Sequence, residues 1–260
     1  MPFPQNETAP AQTDVPAPAV TPPAAVTTVG TPPLQLADWF ALAPEITGAA
    51  AGDGVDFANG HAPATLPMMV ARRLSEGTRL ALQTGLPLLQ KFTTGGALPA
   101  VSALVFSSRH GESERTLRVL QAIAAGNAIS PTDFTMAVHN TAVGQLTITA
   151  GAPLPASSVS AGDASFAQAL FEVFAFLAAG HGAVLHVDFE TRLPAPYHEH
   201  VSPVFPPYAA AFVWRKAAGS ADLRPVLRPA PPTPPPLPPA LAFLRDHLAA
   251  AAHVSAATPS

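Results

Sequence analysis

Residues 157–170, SSVSAGDASFAQAL, decide the fold. Ser157–Ser160 reads as a short strand and Ala161-Gly162 as a small-residue turn. A helix then starts at Asp163 or Ala164. Enzymes use this strand–turn–helix elbow to expose a nucleophile at a helix N-terminus, where unpaired backbone N–H groups favour negative charge. Asp163 occupies the apex here. Its expected role is a helix N-cap, accepting from the N–H groups of Ser165 and Phe166.

The elbow sits in an alternating pattern. Upstream, AVSALVFSS (100–108) is a short apolar run bounded by Pro99 and a polar cluster, and it reads as a buried strand. ESERTLRVLQAIAAGN (112–127) is amphipathic, with Leu117, Leu120 and Ile123 on one side and Glu112, Arg115 and Arg118 on another. Residues 129–151 open with Ser130-Pro131, a helix start, and divide into two helices with a break at His139-Asn140. Downstream, Ala164–Ala179 reads as a helix, and Ala183–Asp188 and 208–217 as buried strands. Further out, Pro67 begins a helix over 66–90 on which Met69, Leu74, Leu80 and Leu82 recur at helical spacing. Order begins near 34–44, with Trp39 and Phe40 as the first aromatic anchors, and 45–64 is loop. Strands alternating with helices predict an α/β domain with largely buried strands.

The ends differ in composition. Residues 1–33 are rich in Pro, Ala and Thr and are expected to be a disordered tail. A folded domain over 34–225 is followed by a 226–260 segment, in which PAPPTPPPLPP (229–239) reads as a polyproline spacer and 240–253 as a terminal helix.

With 48% hydrophobic and 12% charged residues, the chain can bury a large core and has little charge left for its surface, as expected when a partner covers part of it. The net charge of −4, with no basic block, leaves no footprint for nucleic acid. The absence of cysteine excludes disulfides, thiolate metal sites and a cysteine nucleophile. His198, Glu199 and His200 lack the spacing of a metal site, and no metal is expected. No apolar run suggests a membrane span and the start lacks a signal pattern, so a cytoplasmic location is expected.

Segment 107–190 carries SSRHGE, a helix, SPTDFTMAVHNTAVGQLTI and the elbow in order, with RRLS (72–75) upstream. From about Leu66 to Glu190 the chain resembles the N-terminal half of β-ketoacyl synthases. It is most similar to the short, ketosynthase-like chain length factors found with aryl polyene and related polyene pathways. The resemblance implies a thiolase-like fold, with layered helices around a mixed sheet and a truncated C-terminal half.

Counted without gaps from Gly144, the position of the family's catalytic cysteine falls on Asp163. A carboxylate attacks a thioester poorly, and the product would be a reactive anhydride. The family's two C-terminal histidines also have little room here. The resemblance therefore implies a subunit without condensing activity and without a cofactor. Its partners would be a catalytic ketosynthase subunit and an acyl carrier protein. The family's dimers join the strand before the elbow across a two-fold axis, which maps to Ala156, Ser157, Ser158, Val159 and Ser160. Phe134, Met136, His139 and Asn140 fall where tunnel and interface residues lie, although His139 also reads as a hydrogen-bonded residue at the helix break. Arg109, His110 and Glu112 read either as a polar turn near the interface or as a solvated loop. Arg72 and Arg73 read as a solvated face or a carrier-protein contact. Two alternatives stay open: a decarboxylase or thioesterase using Asp163 with His139, and a homodimeric carrier-protein scaffold.

Overall fold

The computed structural model describes residues 34–46, 57–94, 99–217 and 237–256. The expected tail (1–33) and most of the polyproline spacer lie outside the described residues.

Five strands form one mixed sheet in the order β1-β5-β4-β2-β3. They are β1 (Leu34–Leu42), β2 (Val101–Ser107), β3 (Ala156–Val159), β4 (Ala183–Glu190) and β5 (Tyr208–Lys216). The parallel members β3, β2 and β4 are adjacent, and β5 and β1 continue the sheet antiparallel. Among the described residues seven α-helices accompany it: α1 (Met68–Ala71), α2 (Glu76–Thr94), α3 (Ser113–Ala124), α4 (Pro131–Met136), α5 (Thr141–Ala150), α6 (Ser165–Ala178) and α7 (Pro239–Ala256).

Strand alternation divides the core in two. Leu104, Phe106, Leu185, Val187 and Val213 face the layer containing α2 and α5. Ala103, Val105, Val184, Phe212 and Trp214 face α6 and α7. Both faces are covered, so β2, β4 and β5 read as continuous apolar runs. Each fully buried aromatic side chain, such as Phe106 or Phe189, contributes roughly 1.5–3 kcal/mol by leaving water. α7 and the stretch just before it seat Leu241, Leu244 and Leu237 without exposure on the second face, and Phe243 packs against Trp214.

The segment expected as one helix over 66–90 is broken. α1 ends at Ala71, and α2 restarts at Glu76 after a turn in which Ser75 Oγ accepts from Thr78 N–H. Ser75 offers the backbone a local cap that competes with a continuous helix. Leu74, Leu80 and Leu82 are buried as expected, but Met69 is 65% exposed because α1 stands off the core. Pro87 lies inside α2 and cannot donate to Gln83, so that carbonyl instead accepts Ala64 N–H and ties the 57–64 loop to the helix. The same loop is anchored at buried Asp38, whose carboxylate receives Asn59 Nδ2, His61 Nε2 and Lys91 Nζ. Burial opposes ionisation there, but the Lys91 and His61 hydrogen bonds hold Asp38 below the usual carboxylate range.

α3 does not simply bury its apolar side: Leu117 is half-buried and Arg118 is exposed. Leu120 and Ile123 are 51% and 57% exposed, whereas Glu112 and Arg115 are buried. Glu112 accepts from Ser75 Oγ, Thr78 Oγ1 and Arg115 Nε, and Arg115 also reaches Asp133 and the Arg73 carbonyl. Enough donors satisfy the buried acid to reverse the preference that periodicity alone suggests.

Candidate functional site

The site lies at the carboxyl ends of β2 and β4, where open α/β sheets hold their ligands. β2 ends at Ser107, and Ser108-Arg109-His110-Gly111 turns into α3. This turn is held from β4 by one carboxylate. Glu190 accepts from the backbone N–H groups of Arg109 and His110, from Ser108 Oγ at 3.1 Å, and lies 3.2 Å from His110 Nδ1. Gly77 lets α2 approach this point, because a Cβ there would lie 2.5 Å from the Glu190 carbonyl oxygen. The SSRHGE turn is therefore a fixed platform rather than a solvated loop.

Two other segments attach to the platform. His139 Nε2 lies 3.1 Å from the Ser108 carbonyl, which fixes the break between α4 and α5. Ser160 Oγ donates to the Arg109 carbonyl at 3.1 Å, and Ser108 N–H donates to the Val159 carbonyl. Of the residues expected to form an interface or tunnel, His139 and the Val159–Ser160 end of β3 thus reach one turn from two sides. Met136 packs against the first core, Phe134 is 64% exposed, and Asn140 is exposed at the start of α5.

The elbow forms as expected, with Gly162 at φ +58° making the bend before a short 3-10 turn. Asp163 does not cap α6. No side chain caps that helix, and the turn is closed by Ser165 Oγ, which donates to the Gly162 carbonyl and accepts from Ala161 N–H. Asp163 points outward at 70% exposure, with its carboxylate 2.7 Å from Arg109 Nη1. The capping expectation fails because the Asp163 carboxylate turns out to the Arg109 guanidinium, while Ser165 Oγ closes the turn on Ala161 N–H and the Gly162 carbonyl. The elbow therefore presents a neutralised ion pair, with no free nucleophile and no base bonded to it.

β3 is the sheet edge and pairs only with β2 among the described residues. Beside it, Val159, Ala161, Ala164, Gln168, Phe171 and Glu172 line an open groove of about 420 Å³. Exposed large apolar residues continue along the chain nearby in sequence: Leu120, Ile123, Phe134, Val138 and Ile148. No group of three or more potential metal ligands occurs among the described residues, and no described helix is long and apolar enough to cross a membrane.

Sequence reasoning missed the polar column beneath the elbow. His186, Asp188 and Glu190 occupy alternate positions on one face of β4, all buried. Three polar residues at period two in an otherwise apolar strand were the available signal. Asp188 accepts from Ser107 Oγ at 2.5 Å and Tyr208 Oη at 2.6 Å. Ser107 Oγ also lies 2.8 Å from His186 Nε2. The three residue types match a hydrolase triad, but Ser107 stands between the other two and is sealed from solvent, so it cannot attack a substrate. Burial lifts Asp188 to about 7, against the Ser107 and Tyr208 hydrogen bonds, and lowers His186 to about 3. Burial also raises the Tyr208 phenol.

Residues 50–231 match the family described as the N-terminal domain of β-ketoacyl synthase. The ketosynthase ApeO in complex with its chain length factor ApeC, from Xenorhabdus doucetiae, contains a chain 40% identical to this one. The match covers 84% of this chain and 92% of that one, with a TM-score of 0.67. The ishigamide ketosynthase/chain length factor is 17% identical, with 60% and 47% coverage and a TM-score of 0.45. A β-ketoacyl synthase from Burkholderia phymatum is 16% identical, with 60% and 45% coverage and a TM-score of 0.46. No curated protein matches. The mixed sheet between helical layers is the thiolase-like arrangement, and the chain belongs to the β-ketoacyl synthase family.

Proposed function

We propose that this chain is a non-catalytic chain length factor. It would pair with a cysteine-bearing ketosynthase and help set the length of a chain carried as an acyl carrier protein thioester, in an aryl polyene or related pathway. The carrying observation is the elbow: Asp163, which the ungapped count puts at the family's nucleophile position, is exposed and paired with Arg109. The relative of known structure at 40% identity comes from a ketosynthase bound to its chain length factor, which supports the pairing.

The partner seam in this reading is the free edge of β3, Ala156 to Ser160, flanked by Phe134, Met136, His139 and Asn140. An unpaired edge beside apolar side chains invites another strand. Phe134 and its neighbours would meet the far end of the partner's acyl tunnel. Arg72 and Arg73, both exposed, would face the acidic surface of a carrier protein. A cytoplasmic location accompanies this reading.

The decarboxylase or thioesterase alternative has less support, since His139 Nε2 is engaged by the Ser108 carbonyl and Asp163 by Arg109. In the scaffold alternative, two copies would meet at the same seam. Co-expression with a ketosynthase encoded alongside separates the readings. The proposal expects a one-to-one complex and a product length that changes when Phe134 or Met136 is substituted. A stable homodimer that ignores the ketosynthase would sink it. So would thioester cleavage by this chain alone that Asp163→Asn abolishes.

A further inference from the structure

Partner pairing makes no use of the polar chain sealed beneath the elbow. Tyr208, Asp188, Ser107 and His186 span three adjacent strands, and each is at most 3% exposed. Ser107 has one hydroxyl proton and two neighbours, Asp188 Oδ2 at 2.5 Å and His186 Nε2 at 2.8 Å. The proton cannot serve both. Either Ser107 donates to an ionised Asp188 and accepts from His186 Nε2–H, or a protonated Asp188 donates to Ser107, which donates to a bare His186 Nε2. Nothing else pins the imidazole tautomer, because His186 Nδ1 is buried without a hydrogen-bond partner.

We infer that these residues form a two-state hydrogen-bond chain whose direction reverses as a unit when Asp188 gains or loses a proton. The proton balance is simple. A proton from water, admitted by transient opening, bonds to His186 Nδ1. The Nε2–H proton passes to Ser107 Oγ, and the original Ser107 proton passes to Asp188 Oδ2. One proton enters, no electrons are exchanged, and the imidazole stays neutral in both states.

The surroundings leave the two states close in energy. Ser107 faces Asp188 from β2 and Tyr208 from β5, while Glu190 and His186 are its titratable neighbours on β4. α6 contributes only the ring of Phe166, stacked on His186 at 5.4 Å, and Phe243 of α7 lies behind it. No described cation bonds to Asp188. Arg109 pairs with Asp163, and the His110 ring faces Glu190. Burial moves Asp188 to about 7, within the working range of most cytoplasm-like buffers, while His186 at about 3 remains neutral there. The chain meets the elbow in two ways: Phe166 of α6 stacks on His186, and Ser107 lies two residues before Arg109, the ion-pair partner of Asp163. It is thus a proton-responsive support under the family's nucleophile position, whichever subunit role the protein has.

The test is long-range ¹H–¹⁵N spectroscopy of the histidine-labelled full chain between about pH 5.5 and 8.5, with His186 assigned from the spectrum of His186→Phe. The expected result is a neutral ring that changes from the Nδ1–H to the Nε2–H tautomer as pH rises, with a midpoint near 7. Asp188→Asn should freeze the Nδ1–H form, because its amide donates to Ser107 at every pH. Tyr208→Phe, which keeps the chain but removes a donor to the carboxylate, should move the midpoint upward. A single tautomer throughout in the unsubstituted protein overturns the inference. So does a pH-driven change that survives Asp188→Asn, or a midpoint that Tyr208→Phe leaves unmoved.

Discussion

Arg109 Nη1 lies 2.7 Å from the Asp163 carboxylate, joining the β2–α3 turn to the apex of the elbow. The pair balances the charge at the apex and supplies no nucleophile; with the Asp163 carboxylate removed, the Arg109 guanidinium would face its replacement. Asp163→Cys should therefore create a thiol with a pKa below the unperturbed value of about 8.5. The chain has no cysteine of its own, so alkylation by iodoacetamide reports this position alone. The rate should titrate at lower pH than a model thiol and return toward the model value in Asp163→Cys/Arg109→Ala. Equal titration of the two variants would show that Arg109 does not set the field. With its side chain largely in solvent, the substitution should change stability by no more than about 0.5 kcal/mol.

Two glycines should respond with opposite signs. Alanine at Gly77 drives a Cβ into the Glu190 backbone at 2.5 Å, and neither α2 nor β4 has room to yield. Gly77→Ala should cost about 1–3 kcal/mol and loosen the Arg109–His110 platform. A Cβ at Gly144, inside α5, meets nothing within 4 Å. Gly144→Ala should stabilise the isolated chain by about 0.5–1 kcal/mol. Chemical denaturation of the two variants decides the matter, and a shift of the same sign in both would contradict the packing described.

The strand and helix sequence was largely legible because β2, β4 and β5 are apolar runs and α6 follows a small-residue elbow. β1 was located only as a place where order begins, since its pairing with β5 is long-range and its Asp38 breaks the apolar pattern. The orientation of α3 was not legible. Periodicity set Leu117, Leu120 and Ile123 on one side and Glu112, Arg115 and Arg118 on another, but Glu112 and Arg115 bring a closed set of hydrogen bonds that spacing does not display. The elbow was found, and its apex was misread as a cap because the carboxylate's partner, Arg109, comes from the distant β2–α3 turn. The buried polar column was visible as His186-Val187-Asp188-Phe189-Glu190, but its partners Ser107 and Tyr208 come from distant strands.

Asp188 and His186 shift in opposite directions, and their effects on stability oppose each other. The folded Asp188 value, about 7, exceeds the unfolded 3.8. Its contribution is present below pH 3.8 and is lost as pH rises to 7. The folded His186 value, about 3, lies below the unfolded 6.5. That contribution is present above pH 6.5 and is lost as pH falls toward 3. Across the shared window the folded and unfolded states each hold one proton on the pair, so stability of the unsubstituted chain should be nearly flat from these groups. Asp188→Asn should lose stability on acidification from pH 6.5 to 4, and His186→Phe should gain it over the same range. Each trend is bounded by roughly 4 kcal/mol. Melting temperatures across this range test the compensation, and parallel pH profiles for the two variants would refute it.

The β3 edge offers a test of pairing that spares the fold. Pro155 and Val159 turn their carbonyls toward β2, where Leu104 N–H and Ser108 N–H donate to them. Backbone groups alternate sides along a strand, so those of Ala156 and Ser158 point away from the sheet, toward any added strand. Ser158→Pro removes one outward N–H without touching a bond to β2, and proline is tolerated on an edge for that reason. The isolated variant should retain its circular dichroism spectrum and stay within about 1 kcal/mol of the unsubstituted chain. The proposed complex with a ketosynthase should weaken by at least tenfold, since one lost main-chain bond and a proline ring in the proposed seam cost about 1.4 kcal/mol or more. Val159→Lys, which brings a charge into the groove lined by Ala164 and Phe171, should weaken the complex further. If both variants bind the partner as the unsubstituted chain does, the seam lies elsewhere, and the exposed surface of Leu120, Ile123 and Phe134 becomes the place to substitute.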